Sequence, residues 1–512
     1  MCTIPRKRLS RIVFHESASG SLEATVVALA VVVERRVPVA FVGDDVENGG
    51  PIYLDDPGRR QGTYMVGVTG TGKSTLLLNI VLADIEAGDG LCLLDPHGDL
   101  TEDILALVPP ERTQDVILFD PADIDYPLGL NLFECRIDDP KEVDRVCSEL
   151  VGTLRKLFWY SWGPRMEDVL RHSILTLIAR PGSTFLDLMW LLTDAEYRLE
   201  VTSQLKDPIL GHYWTHQFPQ ETKQSTRLRD WIDSSLNKIG RFLANPVIRN
   251  IISQPNSAFD VRQIMDEGKV LLVNLSKGRL GEDNSALLGA VLVNKILVAA
   301  LERAEVPREQ RRRFHLIVDE YQSFATESFP TLQSESRKFN IDTIVAHQYR
   351  DQLDDLNRGS TLNVGNLILF RTSGVDGPEL AAQFDNTPPE PELERQPMLY
   401  NTSREGVYRT ADRGEYVLMP GKARMYSDVQ AQRANQLANL PPFTALCKLA
   451  GEGLRTEHMI KTRPVVRKPN PAVAEAIRQR SRQLAMPRAE VEKLIEQRTG
   501  WEAPQVTFYE ET

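Results

Sequence analysis

The stretch Tyr64-Met65-Val66-Gly67-Val68-Thr69-Gly70-Thr71-Gly72-Lys73-Ser74-Thr75-Leu76-Leu77 decides the fold. Three largely apolar residues run into Gly67, four residues follow, and Gly72, Lys73 and Ser74 close the pattern. A nucleoside triphosphate carries dense negative charge, so a loop that surrounds it needs backbone N–H donors and little side-chain bulk. Gly67, Gly70 and Gly72 allow that close approach. Lys73 then reaches the β- and γ-phosphates, the Ser74 hydroxyl ligates Mg²⁺, and the following helix turns its positive end toward the anion. Thr69, Gly70, Thr71, Gly72, Lys73, Ser74 and Thr75 are therefore the expected ATP-binding residues. Around them, Tyr64 to Val66 reads as a short buried strand and Ser74 to Ala87 as a helix stopped by Gly88.

At 512 residues the chain is long enough for two or more packed units. A hydrophobic fraction of 42% and a charged fraction of 26% exclude a disordered or fibrous protein. The most apolar run, Ala24 to Val33, is about half a bilayer crossing and ends at Glu34-Arg35-Arg36. No membrane span or secretory signal is expected, and five scattered cysteines without a CxxC pair point to the cytosol. The formal charge of -11 does not exclude a DNA partner, because a pore can be basic while the outside stays acidic. Two basic clusters, Arg6-Lys7-Arg8 with Arg11, and Lys461, Arg463, Arg467 and Lys468, read first as solvated tails.

Composition and periodicity divide the chain. Residues 1–60 form a mixed lead-in with a helical stretch from Leu22 to Arg35 and a strand from Val39 to Val42. Residues 61–139 carry the first part of the nucleotide-binding core. Residues 140–257 are helical throughout, with Val143, Val146, Cys147, Leu150, Val151, Leu154 and Leu157 at helical spacing, and read as an all-α insertion. Trp159, Trp162, Trp214 and Trp231 fall inside it, as core residues before base-stacking platforms. Residues 258–450 resume the core with strands at Lys269 to Leu275, Phe314 to Val318, Asp342 to His347 and Leu367 to Phe370. Residues 451–512 form a C-terminal helical tail. Strands alternating with helices predict an α/β fold with a parallel sheet, interrupted by the insertion.

A P-loop protein that hydrolyses its nucleotide needs one carboxylate for the Mg²⁺ shell and a second to orient and deprotonate water. The strand ending in Val318 delivers both: Asp319 for the metal, with Ser74, and Glu320 as the base. Gln348 follows a strand end, where its amide reaches the γ-phosphate or its water. Arg337 supplies a rigid guanidinium for charge developing on the transferring phosphoryl group, with Arg371 as a second candidate. Asp95 and His97, after the apolar strand Leu91 to Leu94, divide evenly between turn chemistry and the active site.

Together GVTGTGKSTLLLNI, LLDPHGDL, the helical block with WGPRMEDVLR and NKIGRFLANPVIR, VLLVNLSKGRLGED, LIVDEYQSF, SESRKFNIDTIVAHQ and GNLILFRTS are similar to segments of type IV secretion coupling proteins of the TraG/TraD kind. These belong to the wider HerA and FtsK class of DNA-pumping ATPases. The resemblance covers about residues 60–450 in the family's order. It implies a RecA-like core, a hexameric homo-oligomer, ATP hydrolysis between subunits and DNA in a central channel. It also implies that Arg337 is an arginine finger and Gln348 a sensing glutamine, and that a relaxase or secretion channel is the partner. The expected absence of a membrane span departs from many conjugative members. Beside this reading stand two alternatives, a DNA pump serving a nuclease and a nucleotide-dependent adaptor that recruits proteins.

Overall fold

The computed structural model describes residues 40–219, 225–389, 393–397, 399–401, 408–410, 416–420, 425–451 and 455–500. The helical stretch Leu22 to Arg35 and the basic cluster Arg6-Lys7-Arg8 lie outside them.

The nucleotide-binding strand is narrow and wholly buried, so it needs partners on both sides. Strand β1 (Ala40–Asp45) and β2 (Pro51–Leu54) precede it, and β3 (Thr63–Val66) enters the loop. Then come β4 (Gly90–Asp95), β5 (Val116–Phe119), β6 (Val270–Asn274), β7 (Phe314–Val318), β8 (Ile341–His347) and β9 (Asn366–Leu369). Two small two-stranded sheets pair β10 (Leu393–Pro397) with β13 (Tyr416–Pro420), and β11 (Leu399–Asn401) with β12 (Tyr408–Thr410). Finally β14 (Thr444–Ala450) and β15 (Arg455–Lys461) return to the main sheet.

The main sheet has the order β2-β1-β15-β14-β9-β3-β8-β7-β4-β6-β5. From β9 to β5 all neighbours are parallel, as the continuous apolar runs require. Strands alternate between two apolar layers: Tyr64 and Val66 face one and Met65 the other, while Cys92 and Leu94 oppose Leu91 and Leu93. The other edge is antiparallel, through β14 on β9, β15 on β14, β1 on β15 and β2 on β1. Residues 40–54, expected as a lead-in, and 455–461, expected in a helical tail, join the core strand Thr444–Ala450 and extend the sheet beside the nucleotide loop. Of the terminal basic cluster, Arg463 pairs with Asp44 and Arg467 with Glu86.

Between β5 and β6 the chain is helical. The first helix, Pro140–Leu157, starts at an Asp139 cap with Pro140 in its first turn, and buries Val146, Cys147, Leu150, Val151 and Leu154. Of the tryptophans in this segment, Trp214 is buried whereas Trp159 is 76% exposed. The helical segment is clasped at its base, where Leu130 N–H donates to Ile251 and Ala258 N–H to Gly129. Its apolar interior is continuous with one layer of the sheet. The most apolar helix, Glu282–Glu302, has a membrane-like composition and is largely buried in the core.

Candidate nucleotide site

The loop after β3 hangs between two strand ends. Gly67 N–H donates to His347 of β8 and Val68 N–H to Arg371 beyond β9. A Cβ on Gly67 would stand 2.6 Å from the Phe370 Cβ, so only glycine fits there. Gly70 and Gly72 have φ of +77° and +116°, and Thr71 Oγ1 closes the loop on the Val68 carbonyl at 2.7 Å. The helix Lys73–Ala87 begins at this point, so its first-turn N–H groups face the loop without intrahelical partners. Thr69, Gly70 and Ser74 are exposed, and Thr75 is half-buried. Lys73 is buried, and its ammonium donates to the Gly67 carbonyl at 2.5 Å. Burial pulls its pKa down, opposed by the charges of Glu320 and Asp319.

Those two carboxylates leave β7 together. Strand alternation would send consecutive side chains to opposite faces, but Glu320 adopts left-handed backbone, φ +46° and ψ +54°. That conformation is costly for a residue with a Cβ and is kept where the surroundings impose it. The Glu320 carboxylate is gripped from two sides: Gln348 Nε2 donates to Oε1 at 2.9 Å and Gln322 Nε2 to Oε2 at 2.7 Å. His97 Nε2 lies 3.9 Å from Oε1. Asp319 is pushed up to about 7 by burial first, then by the negative charges of Glu320 and Asp95.

A divalent cation would relieve that crowding of negative charge, so the donor set fits Mg²⁺. Among the described residues no group of three or more His, Cys, Asp or Glu side chains forms a complete metal cage. P-loop magnesium does not require one, since it takes one or two protein ligands and completes its shell with phosphate and water. Asp95 is not free to join: its carboxylate accepts from the backbone of His97, Gly98 and Thr101 and so builds the turn after β4. Of the undecided pair, Asp95 is turn chemistry, while the His97 ring reaches the site.

Behind the loop, Arg350 donates to the Tyr64 hydroxyl at 3.1 Å, and Tyr64 meets His347 Nε2 at 2.5 Å. Burial, with Arg350 and Lys73, holds His347 down to about 3, so the ring is neutral. Tyr64 on β3 and His347, next to Gln348, thus tie the nucleotide strand to the glutamine that grips Glu320. In front, the segment from Tyr321 to Ser328 is strapped to the helix Pro140–Leu157. Lys156 donates to the carbonyls of Gln322 and Ala325, Arg155 Nη2 donates to both carboxylate oxygens of Glu327, and Ser328 donates to Glu149 at 2.7 Å.

Arg337 does not reach this cluster. It lies on a short 3₁₀ turn, Ser336–Phe339, and is exposed. Among the described residues its guanidinium has neither a hydrogen bond nor an ion pair. Arg371 contributes only its carbonyl to the loop. Gln322, Tyr64 and Arg350 were missed by sequence reasoning. A glutamine two residues past the carboxylate was the one local signal.

Residues 51–361 match the type IV secretion-system coupling protein DNA-binding domain. The chain belongs to that family. The matched span includes the loop, Asp319, Glu320, Arg337 and Gln348, and stops short of Arg371. The bacterial conjugative coupling protein TrwB in an unbound form has the same fold, with a TM-score of 0.53 and 18% identity over 84% of this chain and 91% of that one. TrwB in complex with ADP and Mg²⁺ gives 0.52 and 18% over 82% and 90%. TrwB with a non-hydrolysable ATP analogue gives 0.51 and 17% over 81% and 87%. No curated protein matches.

Proposed function

We propose that this coupling-family chain is an ATP-driven DNA translocase, working as a ring of six copies with each nucleotide between two subunits. The observation that carries the reading is the held Glu320 carboxylate beside Asp319 and the glycine-rich loop, with Arg337 left unpaired on the surface. In this reading Thr69 to Thr75 cradle the phosphates and Ser74 and Asp319 hold Mg²⁺. When bound, the cation offsets phosphate charge and orients the terminal phosphoryl group. Lys73 leaves the Gly67 carbonyl for the β- and γ-phosphates. Glu320 takes the proton of the attacking water, and Gln348 and Gln322 keep its carboxylate aimed. Arg337 reaches the neighbour's nucleotide, where a finger in trans raises rate by roughly 10³ to 10⁵. The strap from Tyr321 to Ser328 carries the state of the site to the helical segment, residues 140–257, which we assign as an all-α domain. DNA passes through the ring, with a relaxase or secretion channel as the partner.

The test is ATP turnover with and without DNA, alongside gel filtration or electron microscopy of the particle. DNA-stimulated hydrolysis by a ring is expected. A rate indifferent to DNA at every length and strandedness would instead point to a nucleotide-dependent adaptor.

A further inference from the structure

Gly72 is clamped between two aromatic rings that differ in a telling way. A Cβ there would stand 3.1 Å from Phe370 Cε1 on one side, and 3.1 and 3.2 Å from Phe443 Cα and Cδ1 on the other. Phe370 is fully buried and belongs to the apolar layer beneath the loop. Phe443 is 40% exposed and belongs to neither apolar layer. It follows Pro441-Pro442 and immediately precedes β14, with backbone φ of +62°. A left-handed phenylalanine is an outlier that its surroundings must enforce. Two main-chain hydrogen bonds do so: Phe443 N–H donates to the Thr71 carbonyl at 2.7 Å, and its carbonyl accepts from Thr462 N–H at 2.8 Å. A partly exposed apolar ring is therefore held, in a strained conformation, at the rim of the phosphate cradle.

The geometry points to Phe443 as the platform on which the nucleobase of the bound nucleotide stacks. This rests on the nucleotide reading of the loop and adds the subsite for the other end of the molecule. Phosphates seated on Gly70 to Thr75 leave the nucleoside to emerge at the rim, where the first flat apolar surface is this ring. Stacking uses the π-face that every base has, and the contact supplies no hydrogen bond to a base edge. The subsite thus takes purine nucleotides with little preference between adenine and guanine. Because the ring's backbone is bonded to Thr71, a stacked base also braces the loop that holds its own phosphates.

Calorimetry on the full chain with Mg²⁺ separates base from phosphate contacts, using ATP, GTP and inorganic tripolyphosphate. Phe443→Ala should weaken ATP and GTP by about tenfold each and leave tripolyphosphate unchanged. Phe443→Leu keeps apolar bulk over Gly72 without the π-face and should show the same selective loss, which covers an alanine variant that loosens the loop. Phe443→Trp should restore ATP affinity, with emission beyond the wild-type background quenched by ATP and not by tripolyphosphate. Tripolyphosphate weakened in step with ATP in both Phe443→Ala and Phe443→Leu would make the ring a mere prop for Gly72, and unchanged ATP affinity in both would remove it from the site. A wild-type protein that binds neither ATP nor tripolyphosphate would overturn the nucleotide reading itself.

Discussion

Glu320 shows how one residue's backbone sets chemistry. Its left-handed conformation brings two consecutive carboxylates to one side of the strand end, and two glutamines then fix the second of them. Glu320→Gln should keep ATP binding and lower turnover by at least about 100-fold, since the amide preserves shape and cannot accept the proton. Rapid hydrolysis in single-turnover assays would move the base elsewhere. Gln348→Ala should lower turnover less, about tenfold, with KM for ATP little changed, because it aims Glu320 and does not take the proton. The loop and the Asp-Glu pair were legible because their spacing is itself the chemistry. The grip of Gln322 and the reach of His97 were not, because each depends on a sharp turn that residue types alone do not encode.

At the scale of elements, the N-terminal ends of the central strands are held by buried charge. His315 on β7 faces Arg59 and Asp342, each 3.2 Å from Nδ1, and Asp89 and Asp84 on its other nitrogen at 3.3 and 3.8 Å. Burial opposes its charged form, as does Arg59, but Asp84 with Asp342 and Asp89 outweighs them and raises the pKa. Asp342 moves the other way: burial raises it, and His315, Arg313 and Arg59 carry it well below the usual carboxylate range. The histidine stabilises fully below its unfolded value of about 6.5, and that stability is lost as pH rises through its higher folded value. The aspartate stabilises above about 3.9 and loses this as pH falls through its lower folded value. Melting temperature should therefore fall as pH climbs above about 6.5, and His315→Gln should flatten that part of the profile while lowering stability near pH 5. The strap on the nucleotide side makes a second element-scale prediction. Lys156→Met removes the bonds to Gln322 and Ala325 but keeps the stem, so DNA-stimulated turnover should drop several-fold with ATP affinity unchanged. Parallel strands and long helices were legible from apolar periodicity. The antiparallel edge was not, because β1 and β15 pair across about 400 residues and neither carries the other's register.

For the whole molecule, the continuous apolar interior of sheet and helical segment predicts one cooperative unfolding transition in calorimetry, not two. Two separated transitions would show that the segment folds alone. Arg337, unpaired among the described residues, belongs to this scale as well, because the proposed ring would place its partner in another copy. Arg337→Ala should bind ATP and not hydrolyse it, and mixing it with Glu320→Gln should recover more activity than the two mutants give separately. No recovery in mixed rings would count against a shared site.

The sheet order also sets a timetable for synthesis. Strand β3 is made early, yet its neighbours β8 and β9 emerge about 280 and 300 residues later. Translation at roughly 5–20 residues per second leaves the apolar nucleotide strand without its neighbours for about a quarter of a minute to a minute. The ribosome-bound chain is thus a client for chaperones until β9 emerges, and a stop codon placed before β8 should yield an aggregating fragment even though every residue of the loop is present.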